Sequence, residues 1–349
     1  AGEARMNAAW EWNDINEQKA KRRFGIKRYR AGQRKLIQAV LERRNALGVL
    51  PTGGGKSLCY QLPALFLPRA VLVVSPLIAL MQDQQEKLVE RSIPAMKLNS
   101  TLSSNEEQEN IDTVQSGQTE LIYVTPEHLE NAGYLKILKK AGVSLVVVDE
   151  AHCISQWGHD FRPAYLSLRN AIRELGRPPV LALTATATDE VAADILKQLE
   201  LADAEVISIG IERKNLAFEV VRTVNEDVKR DRLKEILQEQ SGSAGIIYVP
   251  TVKQVDALCQ WLIEEGFRAG QYHGRMKTPL RETHQQAFMA NEIDVMVATK
   301  AFGLGIDKQD IRFVIHYAVP DSIETYVQET GRAGRDGELA RAILFYRLE

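Results

Sequence analysis

The residues with the clearest chemical potential form a glycine-rich stretch near residue 50. It reads Pro51-Thr52-Gly53-Gly54-Gly55-Lys56-Ser57 and follows the β-rich apolar run Ala46–Leu50. Glycines let backbone N–H groups turn toward phosphate oxygens, and a helix N-terminus behind such a loop favours anions. Lys56 is expected to reach the β- and γ-phosphates, and the Ser57 hydroxyl to ligate Mg²⁺. The stretch therefore predicts a nucleotide-phosphate site of the short TGxGKS form, since Leu50 stands where the longer pattern has glycine.

An acidic pair supplies the second element of phosphoryl-transfer chemistry. Asp149-Glu150-Ala151-His152 directly follows the apolar run Leu145–Val148. Phosphoryl transfer requires a metal ion, an oriented nucleophile and stabilised charge, with little covalent chemistry. We therefore expect Asp149 to hold Mg²⁺ and Glu150 to polarise the attacking water. Together with Lys56, the pair predicts nucleotide hydrolysis.

Two arginines near the C-terminal end supply the third element. They lie in Gln328-Glu329-Thr330-Gly331-Arg332-Ala333-Gly334-Arg335-Asp336. Guanidinium groups that reach a γ-phosphate can raise the rate of hydrolysis about 10³- to 10⁵-fold. Gln328, Arg332 and Arg335 are therefore predicted catalytic residues, and a surface salt-bridge cluster is the alternative.

Short apolar runs alternate with amphipathic stretches, which is typical of an α/β fold. Runs such as Leu145–Val148 lack polar alternation, so they predict parallel strands that are covered on both faces. The predicted strands are Ala46–Leu50, Ala70–Val74, Leu121–Val124, Leu145–Val148 and Val180–Leu183, then Phe218–Val221, Ile246–Val249, Val295–Ala298, Phe313–His316 and Ala342–Phe345.

The repeated strand–helix pattern predicts two domains. We assign residues 1–23 to an N-terminal extension, 24–210 to the first domain and 211–349 to the second, with a linker around Gly210–Asn215. The phosphate loop and acidic pair belong to the first domain and the arginines to the second. We therefore expect groups from both domains to complete the nucleotide-binding site. Hydrolysis would then change the contact between the domains and drive movement.

The chain resembles the RecQ helicases of the second helicase superfamily, from about Phe24 to Tyr346. The most specific string is Asp149-Glu150-Ala151-His152-Cys153-Ile154-Ser155-Gln156-Trp157-Gly158-His159-Asp160-Phe161-Arg162-Pro163. Its second half is similar to an aromatic-rich loop that senses single-stranded DNA. The resemblance implies that Trp157, Phe161 and Arg162 contact DNA or relay its binding, and that His159 and Asp160 position the loop. Aromatic rings stack on bases of any sequence; packing of Trp157 and Phe161 in the core is the alternative.

The same resemblance extends to the nucleotide base. Phe24-Gly25, Arg30 and Gln33 are similar to the family's adenine-recognition motif. It implies that Gln33 bonds the adenine edge and that Arg30 stacks on its face. Ile26 and Ala31 depart from the aromatic residue and the proline that many relatives carry there.

Further short strings resemble motifs that track the nucleic-acid strand or join DNA binding to hydrolysis. In chain order they are Ser75-Pro76-Leu77-Ile78-Ala79-Leu80, Thr125-Pro126-Glu127, Thr184-Ala185-Thr186, Tyr272-His273-Gly274, Thr299, and Gly303-Leu304-Gly305-Ile306-Asp307. The resemblance implies DNA contacts for Ser75, Pro76, Thr125, Pro126, His273 and Thr299. It implies a contact of Asp307 with the nucleotide ribose or with the closing interface. Thr184-Ala185-Thr186 would link hydrolysis to unwinding.

Composition restricts the remaining choices. Forty-four basic residues face forty-six acidic ones, and none of the three cysteines forms a CxxC pair. No apolar run reaches the roughly 18 to 20 residues that a membrane span requires. We therefore expect a cytoplasmic, nucleoid-associated protein with reduced thiols and no membrane partner. We expect no zinc, because the chain has no cysteine cluster and ends at Glu349, before the zinc-binding and winged-helix domains that RecQ proteins commonly carry.

Combined with the resemblance, the motifs predict two tandem RecA-like α/β domains with mainly parallel sheets and helices on both faces. The function hypothesis is an ATP- and Mg²⁺-dependent DNA helicase that moves 3′→5′ on single-stranded and tailed duplex DNA in repair or recombination. It would act as a monomer, with a single-strand-binding protein as a partner. An RNA-stimulated motor and an ATP-switched binding module remain alternatives. A metabolic P-loop kinase would leave Arg332, Arg335 and the aromatic loop unexplained.

Overall fold

The computed structural model describes residues 12–51, 53–76, 78–98, 104–157, 160–210, 213–302, 306 and 308–347. The chain forms two compact units, and the boundary between them lies after Gly210. Each unit contains one β-sheet. None of the helices in these ranges is long and apolar enough to cross a membrane.

The first unit contains seven strands and eight α-helices among its described residues, with three short 3₁₀-helices at Pro126–Glu130, Ala151–Ile154 and Pro163–Ser167. The strands are β1 (Ala46–Val49), β2 (Ala70–Val74), β3 (Ala95–Leu98), β4 (Leu121–Val124), β5 (Val143–Val148), β6 (Val180–Thr184) and β7 (Glu205–Ser208). The helices are α1 (Asp14–Arg23), α2 (Gln33–Leu41), α3 (Leu58–Ala64), α4 (Ile78–Glu90), α5 (Ser104–Gln115), α6 (Ala132–Ala141), α7 (Leu168–Glu174) and α8 (Asp189–Gln198). The sheet order is β3-β4-β2-β5-β6-β1-β7, and all its pairings are parallel.

The sheet of the first unit is covered on both faces. In β5, Leu145 and Val147 belong to one buried apolar cluster, while Val146 and Val148 belong to another. Residues of α2 and α3 pack in the first cluster, and residues of α7 and α8 pack in the second. Alternate side chains of a strand point to opposite faces, so a strand that is covered twice must be apolar throughout.

The second unit repeats this architecture with six strands and four helices in its described part. The strands are β8 (Leu216–Thr223), β9 (Ala244–Tyr248), β10 (Ala269–Tyr272), β11 (Val295–Ala298), β12 (Ile311–His316) and β13 (Ala340–Arg347). The helices are α9 (Glu226–Glu239), α10 (Val252–Glu264), α11 (Thr278–Met289) and α12 (Ile323–Thr330). The sheet order is β10-β11-β9-β12-β13-β8, again with parallel pairings throughout.

The fold class predicted from the sequence is confirmed: two α/β units with parallel sheets. The ten predicted apolar runs all fall on strands, although their ends differ by a few residues. The strands β3, β7 and β10 were not predicted, and each lies at an edge of its sheet.

We predict that Gly245→Ala lowers the stability of the second unit by about 1–3 kcal/mol, because a methyl group at this position overpacks the core. Gly245 lies in β9, and a Cβ atom built on it would lie 2.0 Å from the Phe313 ring. Urea unfolding measures the change. Gly274→Ala is the matched control, since no atom lies within 4 Å of its Cβ position. Equal stability of the two variants would contradict the prediction.

Candidate active site

The predicted site residues of the first unit lie at one edge of its sheet. In a parallel sheet all strands end at the same edge, which is where such folds bind ligands. The phosphate loop follows β1 and the acidic pair follows β5, with β6 between these two strands. Ser75 and Pro76 follow β2, and Thr125 and Pro126 follow β4. Parallel pairing therefore brings four separated stretches of sequence to a common edge.

The phosphate loop requires glycine at three successive positions. Gly53 and Gly55 have φ angles of 79° and 75°, which residues with a Cβ atom rarely adopt. A Cβ atom on Gly54 would lie 2.8 Å from the Pro51 carbonyl oxygen, and one on Gly55 would lie 2.3 Å from the Gln33 side chain. Thr52 lies outside the described residues. The glycines are therefore fixed by backbone conformation and by close packing.

Side chains from before and within α2 hold the carbonyl groups of this loop. The Arg30 guanidinium donates to the Gly53 oxygen. Gln33 Nε2 donates to the Gly55 oxygen at 2.9 Å and to the Gly54 oxygen at 3.3 Å. Among the described residues, none accepts a hydrogen bond from the N–H groups of Gly55, Lys56 or Ser57. These N–H groups are therefore available for phosphate oxygens.

The Gln33 side chain uses almost all of its hydrogen-bonding groups to hold the phosphate loop. Its Oε1 accepts the Arg30 N–H at 2.7 Å, and both amide hydrogens point to loop carbonyls. The side chain is only 2% exposed. An amide has two donors and two acceptor positions, so one Oε1 lone pair remains for an adenine amino group. The implied adenine contact of Gln33 thus stays a prediction, whereas its support of the loop is a structural finding.

Asp149 is buried next to the phosphate loop. Its backbone N–H donates to the Val74 oxygen at 2.9 Å, and the Ser75 hydroxyl lies 3.5 Å from Oδ2. Burial raises the pKa of the Asp149 carboxyl, the Glu150 charge raises it further, and the Lys56 ammonium opposes both. The positive charge of Lys56 therefore favours the ionised form of the Asp149 carboxyl. A buried acidic group of this kind suits a divalent cation, which would offset the cost of its charge.

Glu150 has a backbone conformation that is unusual for a residue with a side chain. Its φ and ψ are 49° and 45°, in the left-handed region, at a cost of about 1–3 kcal/mol. Its Oε2 lies 3.4 Å from His152 Nδ1, and the same nitrogen lies 2.9 Å from Thr184 Oγ1 at the end of β6. The acidic pair and the Thr184-Ala185-Thr186 string are thus joined through His152.

The aromatic-rich loop follows this network directly. Trp157 is 76% exposed, so its ring is not part of the core, and Phe161 is half-buried. Arg162 Nη2 lies 3.0 Å from Asp160 Oδ2, which holds the guanidinium against its own loop. The Ser155 hydroxyl donates to Asp194 Oδ2 at 2.7 Å and accepts the Trp157 N–H at 3.2 Å. His159 lies outside the described residues.

Several residues that were predicted to contact DNA are buried. Ser75, Thr125 and Pro126 are all in the interior, and Thr125 Oγ1 bonds His128 Nδ1 at 2.9 Å. Pro76 is half-buried. Contacts of Ser75 and Thr125 with DNA would therefore involve backbone groups or a local rearrangement.

The second unit places its predicted nucleic-acid residues at neighbouring strand ends. His273 follows β10 and Thr299 follows β11, and the Thr299 N–H donates to the Tyr272 oxygen at 3.2 Å. The His273 ring is buried, and its Nε2 lies 3.2 Å from Asp256 Oδ1. Thr299 is half-buried. Asp307, like Gly303–Gly305, lies outside the described residues.

The arginine motif begins at the end of α12. The Ser322 hydroxyl caps this helix by accepting the Thr325 N–H, and Gln328 is half-buried on its last turn. Arg332 is only 6% exposed, and the Arg335 guanidinium donates to the Ile306 oxygen at 3.0 Å. Both arginines are therefore held by the protein in the described structure.

Two residues that sequence reasoning treated as linker hold the backbone of this motif. Arg213 donates to the carbonyl oxygens of Gly331 at 3.0 Å and Ala333 at 2.9 Å. Asn215 Nδ2 donates to the Gly334 oxygen at 2.8 Å, and a Cβ atom on Gly334 would lie 2.6 Å from it. These residues follow the boundary at Gly210 and are structurally part of the second unit. The sequence did not indicate these contacts, because the partners of Arg213 and Asn215 lie more than one hundred residues away in the chain.

Comparisons with known proteins agree with this arrangement. Residues 30–195 match the DEAD/DEAH box helicase family, and residues 228–337 match the family described as helicase conserved C-terminal domain. The ATP-dependent DNA helicase RecQ of Bacillus subtilis is 46% identical over 93% of this chain and 54% of its own length. The Haemophilus influenzae protein of the same name is 42% identical over 93% of this chain and 52% of its own length. The chain belongs to the RecQ helicase family.

The RecQ chain described here spans about half the length of these curated relatives. Solved structures support the fold. S. cerevisiae Dbp5 bound to RNA and ADP BeF3 matches with a TM-score of 0.76 and 20% identity, covering 96% of this chain and 88% of Dbp5. Mss116p bound to ssRNA and AMP-PNP matches with a TM-score of 0.78 and 19% identity, covering 96% and 73%. At these identities the likeness concerns the RecA-like fold alone.

We predict that Arg213→Lys lowers kcat for ATP hydrolysis by this RecQ chain and leaves the Kd for nucleotide nearly unchanged. A lysine cannot donate to several carbonyls at once as a guanidinium does, so the loop with Arg332 and Arg335 loses its position. A misplacement of about 1 Å can cost about 100-fold in rate. Steady-state hydrolysis and fluorescent-nucleotide titration measure the two constants. Arg222→Lys, at an exposed position of β8, is the control; similar kcat values for both variants would refute the role of Arg213.

Proposed function

We propose that this chain is the motor core of an ATP-dependent DNA helicase. In this proposal it hydrolyses Mg-ATP, moves 3′→5′ along single-stranded DNA and separates tailed duplexes during repair or recombination. The observation that carries the proposal is the convergence of Lys56 and the buried Asp149 beside a phosphate loop that presents N–H groups. Membership of the RecQ family supports DNA as the nucleic acid.

The proposed chemistry uses the first unit for binding and for activation of water. The N–H groups of Gly55, Lys56 and Ser57 bind phosphate oxygens, and the Lys56 ammonium neutralises their charge. Ser57 and Asp149 would hold Mg²⁺, which supplies charge stabilisation at the phosphates. Glu150 orients the attacking water, and His152 fixes the Glu150 carboxylate through the 3.4 Å contact.

The proposed coupling to DNA uses the aromatic-rich loop. The Trp157 ring is exposed and can stack on a base of any sequence. A change in this loop reaches the acidic pair through a short path, because Cys153 lies between Asp160 and His152, with its Sγ 3.8 Å and 3.7 Å from them. DNA binding at Trp157 would thereby alter the orientation of Glu150.

The second unit is proposed to complete the reaction. Gln328, Arg332 and Arg335 act on the γ-phosphate of nucleotide held by the phosphate loop, and Asp307 contacts the ribose. These contacts would exist only while the γ-phosphate is present, so the protein would have different states before and after hydrolysis. Movement along DNA in steps requires such a change of state. His273 and Thr299 hold the DNA strand on this unit.

An RNA-stimulated motor is the second candidate, because stacking of a base on the exposed Trp157 ring does not distinguish DNA from RNA. The ATPase rate with single-stranded DNA against RNA of the same sequence separates the two. We expect stronger stimulation by DNA, and a clear preference for RNA would overturn the DNA assignment. Strand separation on a 3′-tailed and a 5′-tailed duplex then tests direction.

We also propose that the protein works in the cytoplasm, next to the nucleoid, as a monomer with a single-strand-binding protein as a partner. The three buried cysteines suit a reducing compartment. Sedimentation velocity with and without DNA tests the monomer, and a dimer in both states would contradict it.

We predict that Lys56→Ala reduces ATP hydrolysis at least about 100-fold while most of the DNA affinity remains, because the charge that stabilises the phosphates is removed. Phosphate release and fluorescence anisotropy with labelled single-stranded DNA measure the two properties. Lys140→Ala changes an exposed lysine of α6 and serves as the control. Turnover retained in Lys56→Ala would contradict the assigned role.

We predict that Trp157→Ala raises the DNA concentration for half-maximal ATPase stimulation about tenfold and alters the basal rate much less, since a stacked base is worth about 1–3 kcal/mol. Trp157→Phe keeps an aromatic ring and should restore most of the stimulation. ATPase titrations with single-stranded DNA give both quantities. An equal loss of basal and stimulated rates in Trp157→Ala would show a structural role instead.

A further inference from the structure

Three side chains that offer different ligand atoms converge beside the acidic pair. Cys153 Sγ lies 3.7 Å from His152 Nε2 and 3.8 Å from Asp160 Oδ2. All three ligand atoms lie within 4.8 Å of one another. His152 and Cys153 are buried, and Asp160 is half-buried, so the cluster is reached from the side of Asp160. Sequence spacing gave no hint of it, because Asp160 is seven residues from Cys153.

The hydrogen-bond network assigns the tautomer of His152. The Thr184 hydroxyl donates to the Thr186 oxygen at 3.0 Å, so Thr184 Oγ1 must accept from His152 Nδ1. Glu150 Oε2 lies 3.4 Å from the same nitrogen. A neutral imidazole with its proton on Nδ1 has a lone pair on Nε2. That lone pair faces the Cys153 sulfur.

The thiol proton of Cys153 lies between the imidazole nitrogen and Asp160 Oδ2, and this oxygen also accepts from Arg162 Nε at 3.2 Å and Nη2 at 3.0 Å. Burial raises the pKa of the Cys153 thiol, and the Asp160 and Glu150 carboxylates raise it further, while Arg162 opposes them. The same negative surroundings that disfavour a thiolate favour a cation. A metal ion can replace the thiol proton, since coordination deprotonates cysteine outright.

Two of the three distances between ligand atoms come close to those around a tetrahedral ion. Zn–S bonds of about 2.3 Å and Zn–N or Zn–O bonds of about 2.0–2.2 Å place neighbouring ligand atoms about 3.3–3.6 Å apart. The two distances from Cys153 Sγ, 3.7 Å and 3.8 Å, are close to this range. The nitrogen is oriented by Thr184 and the carboxylate by Arg162, as outer partners usually orient metal ligands.

We propose that His152, Cys153 and Asp160 form a binding site for a thiophilic divalent cation of the zinc class. One ion binds per chain through Nε2, Sγ and Oδ2, with water in the fourth position, and the thiol proton leaves to solvent. If the proposed function is correct, the ion ties the aromatic-rich loop to His152. It would then suppress the stimulation of ATP hydrolysis by DNA.

Cobalt(II) titration of the nucleotide-free protein tests the site without any activity. Ligation by a thiolate gives a charge-transfer band in the near ultraviolet, and we expect one ion per chain with this band. Cys153→Ser should abolish the band, whereas Cys59→Ser and Cys259→Ser, at the other buried cysteines, should retain it. Zn²⁺ added to the cobalt form should remove the band by displacement.

Asp160→Asn is a second test of the site, which is needed if Cys153→Ser does not fold. This variant keeps the shape of the side chain, and we expect its Kd for cobalt to rise at least about tenfold. Absence of the band in the wild type, or its loss in Cys59→Ser or Cys259→Ser with retention in Cys153→Ser, would overturn the site.

Zn²⁺ titration of the ATPase in excess Mg²⁺ tests the consequence. The ratio of DNA-stimulated to basal rate should fall with Zn²⁺ in the wild type and stay constant in Cys153→Ser. A cobalt band on Cys153 without this loss refutes the regulatory effect and leaves the site. An ATPase with no response to DNA, together with a band, refutes the proposed function instead.

Discussion

The parallel pairing of every strand in both sheets is the constraint on which the rest of the structure depends. Parallel strands must be joined by crossovers, so each strand is followed by a connection that starts at the same edge. The edge of the first sheet therefore collects the phosphate loop, the acidic pair and Thr184. The strand order places β6 between β1 and β5, which lets His152 reach Thr184 while Lys56 still acts on Asp149.

Each functional loop is then fixed by a side chain that bonds its backbone. Gln33 holds the phosphate loop, and Asn215 holds the arginine motif. In both cases a glycine is required where the amide nitrogen approaches, at Gly55 and at Gly334. A hydrogen bond to a main-chain carbonyl positions a loop without occupying the N–H groups of that loop.

The sequence predicted the central strands and the motifs that follow their ends, because both leave strong local signals. Uninterrupted apolar runs marked ten strands, but β3, β7 and β10 escaped notice. Edge strands are covered less and carry polar residues such as Lys97, Glu205 and Gln271. The sequence also did not predict that His273 is buried or which groups Arg213 contacts, because both features depend on residues that are distant in the chain.

The bonds of Arg213 also have a mechanical consequence. Arg213 is three residues from the boundary at Gly210, and its guanidinium is attached to the carbonyls on either side of Arg332. A displacement of the backbone at Arg213 would therefore be transmitted through these hydrogen bonds to the loop that carries Arg332.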